Sequence, residues 1–159
     1  MNAGDIAASI GKGIVAGFAG TAAITASTMI EMKLRDRPPS ETPARVGGKV
    51  LGVRPRDEKA KQRFAQIMHW AYGTTWGAAR GLIDAAGLHG PAASGAHFAA
   101  VWGTALVMLP AADAAEPVTK MKAPEVAIDA FHHAVYAWAT GLVYDYLNRH
   151  THAAPGFRR

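Results

Sequence analysis

The sequence predicts an all-α fold, a bundle of four short membrane-crossing helices, from three observations. Half of the 159 residues are apolar but only 8% are aromatic, so small and aliphatic side chains carry the hydrophobicity. Gly occurs 17 times. In a water-soluble helix each interior Gly costs about 1 kcal/mol relative to Ala, whereas membrane helices use small residues to bring their backbones close. Charge is also segregated, with long uncharged runs beside one strongly basic stretch. The mean hydropathy of +0.03 averages over both and hides that pattern.

The first apolar run, 13–30, reads GIVAGFAGTAAITASTMI, 18 residues without a charge between Lys12 and Glu31. At 1.5 Å per residue it spans about 27 Å, close to a bilayer's hydrocarbon thickness. A helix is expected over about 13–31. Gly13, Gly17 and Gly20 share one face of it, with Thr21, Thr25 and Thr28 as a polar stripe alongside. Asp5 ahead of Lys12, and the length of the run, do not fit a cleaved leader, so this segment is expected to be retained.

Residues 33–63 change character. Ten Lys and Arg residues face four acids, and Pro38, Pro39, Pro43, Pro55 and the Gly47–Gly48 pair break any long helix. This is a basic linker, with a short helix expected around Arg45–Leu51. It lacks interleaved aromatics, so nucleic acid is not the expected partner. Beside a membrane span, anionic lipid headgroups are.

The second helix is expected over 64–83, where Gln66, His69 and Arg80 interrupt the apolar run and Gly73, Gly77 and Gly81 form a ridge every four residues. The third, 91–112, carries no formal charge with His97 neutral, and the fourth, 126–147, is the most polar, with Asp129, His132, His133 and Asp145. A soluble Ala-rich bundle is the alternative. Against it, Arg80 and Asp84 are the only charged residues between Phe64 and Ala112, and a soluble helix needs a polar face.

An internal repeat supports two duplicated helical hairpins. His69-x-x-Tyr72-x-x-x-x-Gly77 matches His133-x-x-Tyr136-x-x-x-x-Gly141, and Gly20-Thr21-Ala22 matches Gly103-Thr104-Ala105. The Lys and Arg bias places both basic loops in the cytoplasm and both termini outside. His150, His152, Arg158 and Arg159 read as a solvated tail.

The candidate interior polar residues are His69, Tyr72, Arg80, His97, Asp129, His132, His133 and Tyr136. On helical spacing His69, Tyr72, Trp76 and Arg80 form one stripe, and Asp129, His133, Tyr136, Thr140 and Tyr144 another; the two are expected to face each other. Ionisable groups within a membrane usually face a bundle interior or a wet cavity. Three readings follow. The stripes form a proton or small-solute path, since imidazole titrates at about pH 6.5. Alternatively, His69 and His133 ligate a haem b or another metal between two helices; Asp129-x-x-His132 has the spacing of a di-iron ligand pair, but the matching Gln66-x-x-His69 is an amide. Finally, the polar groups only bond helices together in a structural or partner-binding subunit, with a homo-oligomer as a further expectation.

With no Cys, disulfide, zinc-thiolate and iron–sulfur chemistry are excluded. There is no nucleophile–base pattern, phosphate loop or dinucleotide fingerprint, so no enzymatic activity is expected.

A Gly-Thr-Ala first helix ending in Glu31, a Pro-rich basic linker, His69-x-x-Tyr72-Gly73 with its glycine ridge, and a closing His-bearing helix together resemble the YagU-type family of small bacterial inner-membrane proteins. The resemblance runs from about Gly13 to Tyr146. The chain departs from it in lacking a long cysteine-containing first loop and in its doubled His132–His133. The resemblance implies a multi-pass location in the bacterial inner (plasma) membrane and a link to survival of acid or envelope stress.

Overall fold

The computed structural model describes residues 2–152; Arg158 and Arg159 of the expected tail lie outside them. Among the described residues the fold is all-α. Helices α1 (Ala3–Arg35), α2 (Thr42–Leu51), α3 (Glu58–Ala85), α4 (Gly90–Ala111) and α5 (Ala123–His152) follow in order, with a 3₁₀ turn at Val118–Lys120. Four of these helices are long, and the short α2 covers the segment where a short helix was expected around Arg45–Leu51.

Apart from α4, each helix starts three or more residues ahead of its expected bound, and in α1 and α3 side-chain caps set that start. Asn2 and Asp5 form a capping box that starts α1 well ahead of Gly13, and Asp36 ends it in the left-handed conformation. The Asp57 side chain accepts from the Ala60 amide, so the charged stretch from Glu58 to Arg63 is the first part of α3 and not linker. Pro43 sits in the first turn of α2, where its missing N–H leaves no bond unmade.

The long helices alternate in direction. At one end Arg35 of α1 pairs with Glu125 at the start of α5, and Thr42 and Lys49 of α2 bond Ala114 and Asp113 just after α4. At the other end Lys12 bonds Asn148, and Arg80 pairs with Asp145. α1 packs most extensively on α3 and then on α5, α4 packs mainly on α5, and α2 lies on α3.

Small residues make the α1–α3 seam. A Cβ on Gly17 would stand 2.6 Å from the Thr74 carbonyl and 2.7 Å from the Gly77 Cα. Gly13 meets the Gly77 carbonyl, Gly81 meets the backbone of Ser9, and Gly73 meets the Thr21 side chain. Gly20 turns away from this seam and meets Thr140 and Tyr136 of α5.

Side chains are distributed unusually for a protein in water. The largest fully buried side chains are Arg80, Tyr144, His97, Thr21 and Thr140. Large apolar groups such as Val15, Phe18, Ile30, Val107, Phe131 and Leu142 are exposed. Two helices, α1 and α4, are long and apolar enough to cross a membrane.

Candidate functional site

The buried polar groups fall at successive levels from one end of the bundle to the other. Where α1 ends and α5 begins, Glu31 is held by Arg35 and Arg37. His132 lies next to it, with Nδ1 2.8 Å from the Ser27 hydroxyl and Nε2 3.9 Å from the Glu31 carboxylate. One turn deeper, His69 Nε2 meets the Thr25 hydroxyl at 3.0 Å. The hydroxyls of Thr21, Thr25 and Thr28 each also donate to a carbonyl one turn back on α1. The α1 polar stripe is thus satisfied by its own backbone, and Thr25 still offers its oxygen to His69 of α3, while His132 of α5 meets Ser27 beside the stripe.

The middle of the bundle is tied by Tyr136, whose hydroxyl donates to the Gly73 carbonyl at 2.6 Å. The missing side chain of Gly73 leaves room for Thr21 of α1 at the same level. The Tyr136 ring lies 5.5 Å from the fully buried His97 ring. His97 directs Nε2 to the Trp76 carbonyl at 3.1 Å.

Beyond His97 is Arg80, the one charged side chain among the described residues that is fully enclosed. Arg80 donates to Asp145 at 2.6 Å, stands 3.6 Å from Asp84, and lies over the Tyr144 ring at 4.4 Å. Tyr144 donates to Asp84 at 3.1 Å, and Asp84 also meets His89 at 2.7 Å. These groups lead to an open polar cleft lined by Asp84, His89, Asp145, Asn148 and Arg149.

Several buried polar atoms have no hydrogen-bond partner among the described residues: Nε and Nη1 of Arg80, Nδ1 of His97, Nε2 of His132 and Oγ1 of Thr140. They follow the same line. Of these, Arg80 Nη1 and His132 Nε2 face carboxylates at 3.6 Å and 3.9 Å, beyond hydrogen-bond reach.

The expected interior positions divide accordingly. Arg80, His97, His132 and Tyr136 are buried, and His69 is half-buried. Asp129 and His133 lie at the margin. Asp129 accepts from the Trp102 indole at 2.8 Å, and His133 Nδ1 lies 2.9 Å from the carbonyl of Asp129 on its own helix. Tyr72 is a correction. It is 40% exposed, edge-on to Trp76, and not in the interior. At 100° per residue it lies about 140° around the helix from Gly77, which faces α1.

The two stripes meet only in part. Arg80 lies over the Tyr144 ring at 4.4 Å and Tyr136 bonds Gly73 beside the first stripe, but His69 turns to Thr25 of α1. No hydrogen bond or ring contact joins His69 to His133 among the described residues, and His69 Nε2 would have to leave Thr25 to bind an iron. No group of three or more His, Asp or Glu is arranged to hold a metal ion among the described residues.

Sequence reasoning passed over Ser27, Ser94, Asp84 and Asp145 as site residues. The signal for the acids was present, since a lone Arg in an apolar helix requires a counter-charge. Ser94, whose hydroxyl fills the space above Gly141 near Arg80, gave none. Comparisons with protein-family models, curated proteins and solved structures found no match to this chain.

Proposed function

We propose that this chain is a small multi-pass protein of the bacterial inner membrane whose polar interior conducts protons or a small polar solute. One observation carries the reading: the largest fully buried side chains are Arg80, Tyr144, His97, Thr21 and Thr140, while many large apolar groups, Phe18, Ile30, Phe131 and Leu142 among them, are exposed. That distribution is costly in water and favourable in lipid, where outward apolar groups need no cover and ionisable groups turn inward. The lengths agree: the 22 residues of α4 extend about 33 Å, and the 33 of α1 about 50 Å, enough to cross and emerge at both faces.

Within that frame the unpaired atoms of His132, His97, Thr140 and Arg80 mark the route. Asp145 and Asp84 offset the charge of Arg80, which alone would repel cations. The resemblance to the YagU-type family supports acid or envelope stress as the setting. A purely structural subunit is the second reading, favoured by the partners that His69, His97 and His132 already have.

Two measurements test the proposal. Membranes washed in carbonate at high pH should retain the chain, and its release would remove the membrane reading. Purified protein in vesicles should then dissipate an imposed pH gradient or admit a small solute, and His97→Phe or Tyr136→Phe should slow that flux. Flux unchanged by those substitutions and by Asp129→Asn with His133→Ala, or no flux at all, would leave the structural reading.

A further inference from the structure

We propose that α2 and the turn after it form an interfacial anchor that grips anionic phospholipid headgroups beside the bundle; this rests on the membrane reading above. α2 is held from within. Ala44 and Gly47 are buried, and a side chain on Gly47 would collide with Met68 of α3, its Cβ 2.5 Å from Cγ. Thr42 donates to the Ala114 carbonyl, and Lys49 pairs with Asp113 at 2.7 Å. The helix is therefore fixed at the end of the bundle where α1 terminates, and its outer side is defined.

That outer side is apolar and cationic together. Val50 is 74% exposed, Leu51 57% and Val53 42%. Gly52 adopts φ 66°, and the Val53 amide bonds the Gly48 carbonyl at 3.1 Å, so the chain turns tightly and sets Val53 and Arg54 beside the end of the helix. Arg54 and Arg56 have no carboxylate within 4.0 Å among the described residues, whereas Arg45, Lys49 and Lys61 already have acidic partners. Arg45, Lys49, Arg54 and Lys61 line an open cleft of about 520 Å³ together with the backbone of Gly48 and Gly52.

Three exposed aliphatic side chains beside two free guanidinium groups fit the boundary of an anionic leaflet. The aliphatics enter the acyl edge and the arginines meet phosphate. Ile30 and Leu34, exposed near the end of α1 beside Phe131 of α5, add apolar surface at the same end of the bundle. Nucleic acid fits less well, because residues 33–63 contain no aromatic side chain to stack on a base.

The chain has no native Cys, so single labels are clean. Full-length protein carrying Leu51→Cys with an environment-sensitive fluorophore is reconstituted into phosphatidylcholine vesicles with and without phosphatidylglycerol, both containing lipid-borne quencher. A second sample is labelled at Val107→Cys, on the exposed face of α4. The Leu51 label should shift to the blue and be quenched in anionic vesicles, and lose both responses in neutral ones. Arg54→Gln and Arg56→Gln should each weaken the quenching roughly fivefold. A Val107 label quenched in both lipids beside a Leu51 label quenched in neither overturns the anchor and spares the membrane reading. Neither label quenched overturns both. A Leu51 label quenched equally in both lipids, or one that responds to an oligonucleotide and not to vesicles, also overturns the anchor.

Discussion

Arg80 and Asp145 meet between α3 and α5 at 2.6 Å, with the guanidinium side chain wholly enclosed and the carboxylate 32% exposed. The asymmetry predicts unequal mutants. Asp145→Asn leaves a buried cation with only Asp84, at 3.6 Å, for compensation, and should destabilise the fold by about 3 kcal/mol. Arg80→Met leaves a carboxylate that water can reach and should cost less. Unfolding in detergent, followed by intrinsic fluorescence, should rank the two in that order, with the double variant milder than the sum of the singles.

The glycine seam predicts a position-specific response to one added methyl group. At Gly77 a Cβ would stand 2.6 Å from the Gly17 Cα, against backbone that cannot yield. Gly77→Ala should cost about 1–3 kcal/mol. Gly95 and Gly103 on α4 have nothing within 4 Å of the same atom, so Gly95→Ala and Gly103→Ala should be neutral or stabilise by up to about 1 kcal/mol. Thermal midpoints of the three variants in one detergent check this.

Tyr136→Phe removes a single hydroxyl, the donor to Gly73, and leaves the ring packed against His97. The expected loss is about 0.6–2 kcal/mol. Hydrogen exchange should locate it at the α3–α5 contact and leave the α1–α3 seam protected.

The docking of α2 should weaken in acid. The Lys49 ammonium holds the Asp113 carboxyl below its ordinary 3.8, and Lys61 holds Glu41 below 4.5. A carboxylate with a depressed pKa contributes stability that is fully present above its ordinary value and lost as pH falls through the lowered one. Both ion pairs therefore persist at neutral pH, and their contribution falls only as pH drops below 4.5 for Glu41 and 3.8 for Asp113 and on through the lowered values. Lys61 is raised above 10.5 by Glu41, so its share is lost at the alkaline extreme instead. Limited proteolysis of the linker across pH should show cleavage rising only in that acid window, with the profile flattened by Lys49→Met plus Lys61→Met.

What could be read in advance was whatever repeats along one helix. Gly73, Gly77 and Gly81 lie four residues apart and do form a packing ridge, because helical periodicity alone puts them on one side. The all-α class and the apolar character of α1 and α4 were legible in the same way. Pairings between helices were not. Nothing local ties Arg80 to Asp145, 65 residues away, or His132 to Ser27, 105 residues away. Tyr72 was misplaced because a four-residue stripe read by spacing is wide enough to wrap onto the outer face. The helix ends were misjudged because hydropathy reports where a chain is apolar, whereas Asn2, Asp57 and Pro43 determine where it is helical.

The central position of α1 has a consequence for biogenesis. It is the earliest of the four long helices to be synthesised, yet its hydroxyls meet their histidines only 44 and 105 residues later. Until α3 emerges, its glycine face has no cover, and until α5 is complete Gly20 and Ser27 have no partner. The nascent chain must therefore hold its first helix in a half-finished assembly while three more are made. A truncated product ending before Ala123 would display that unfinished face to any insertase, chaperone or protease that surveys it.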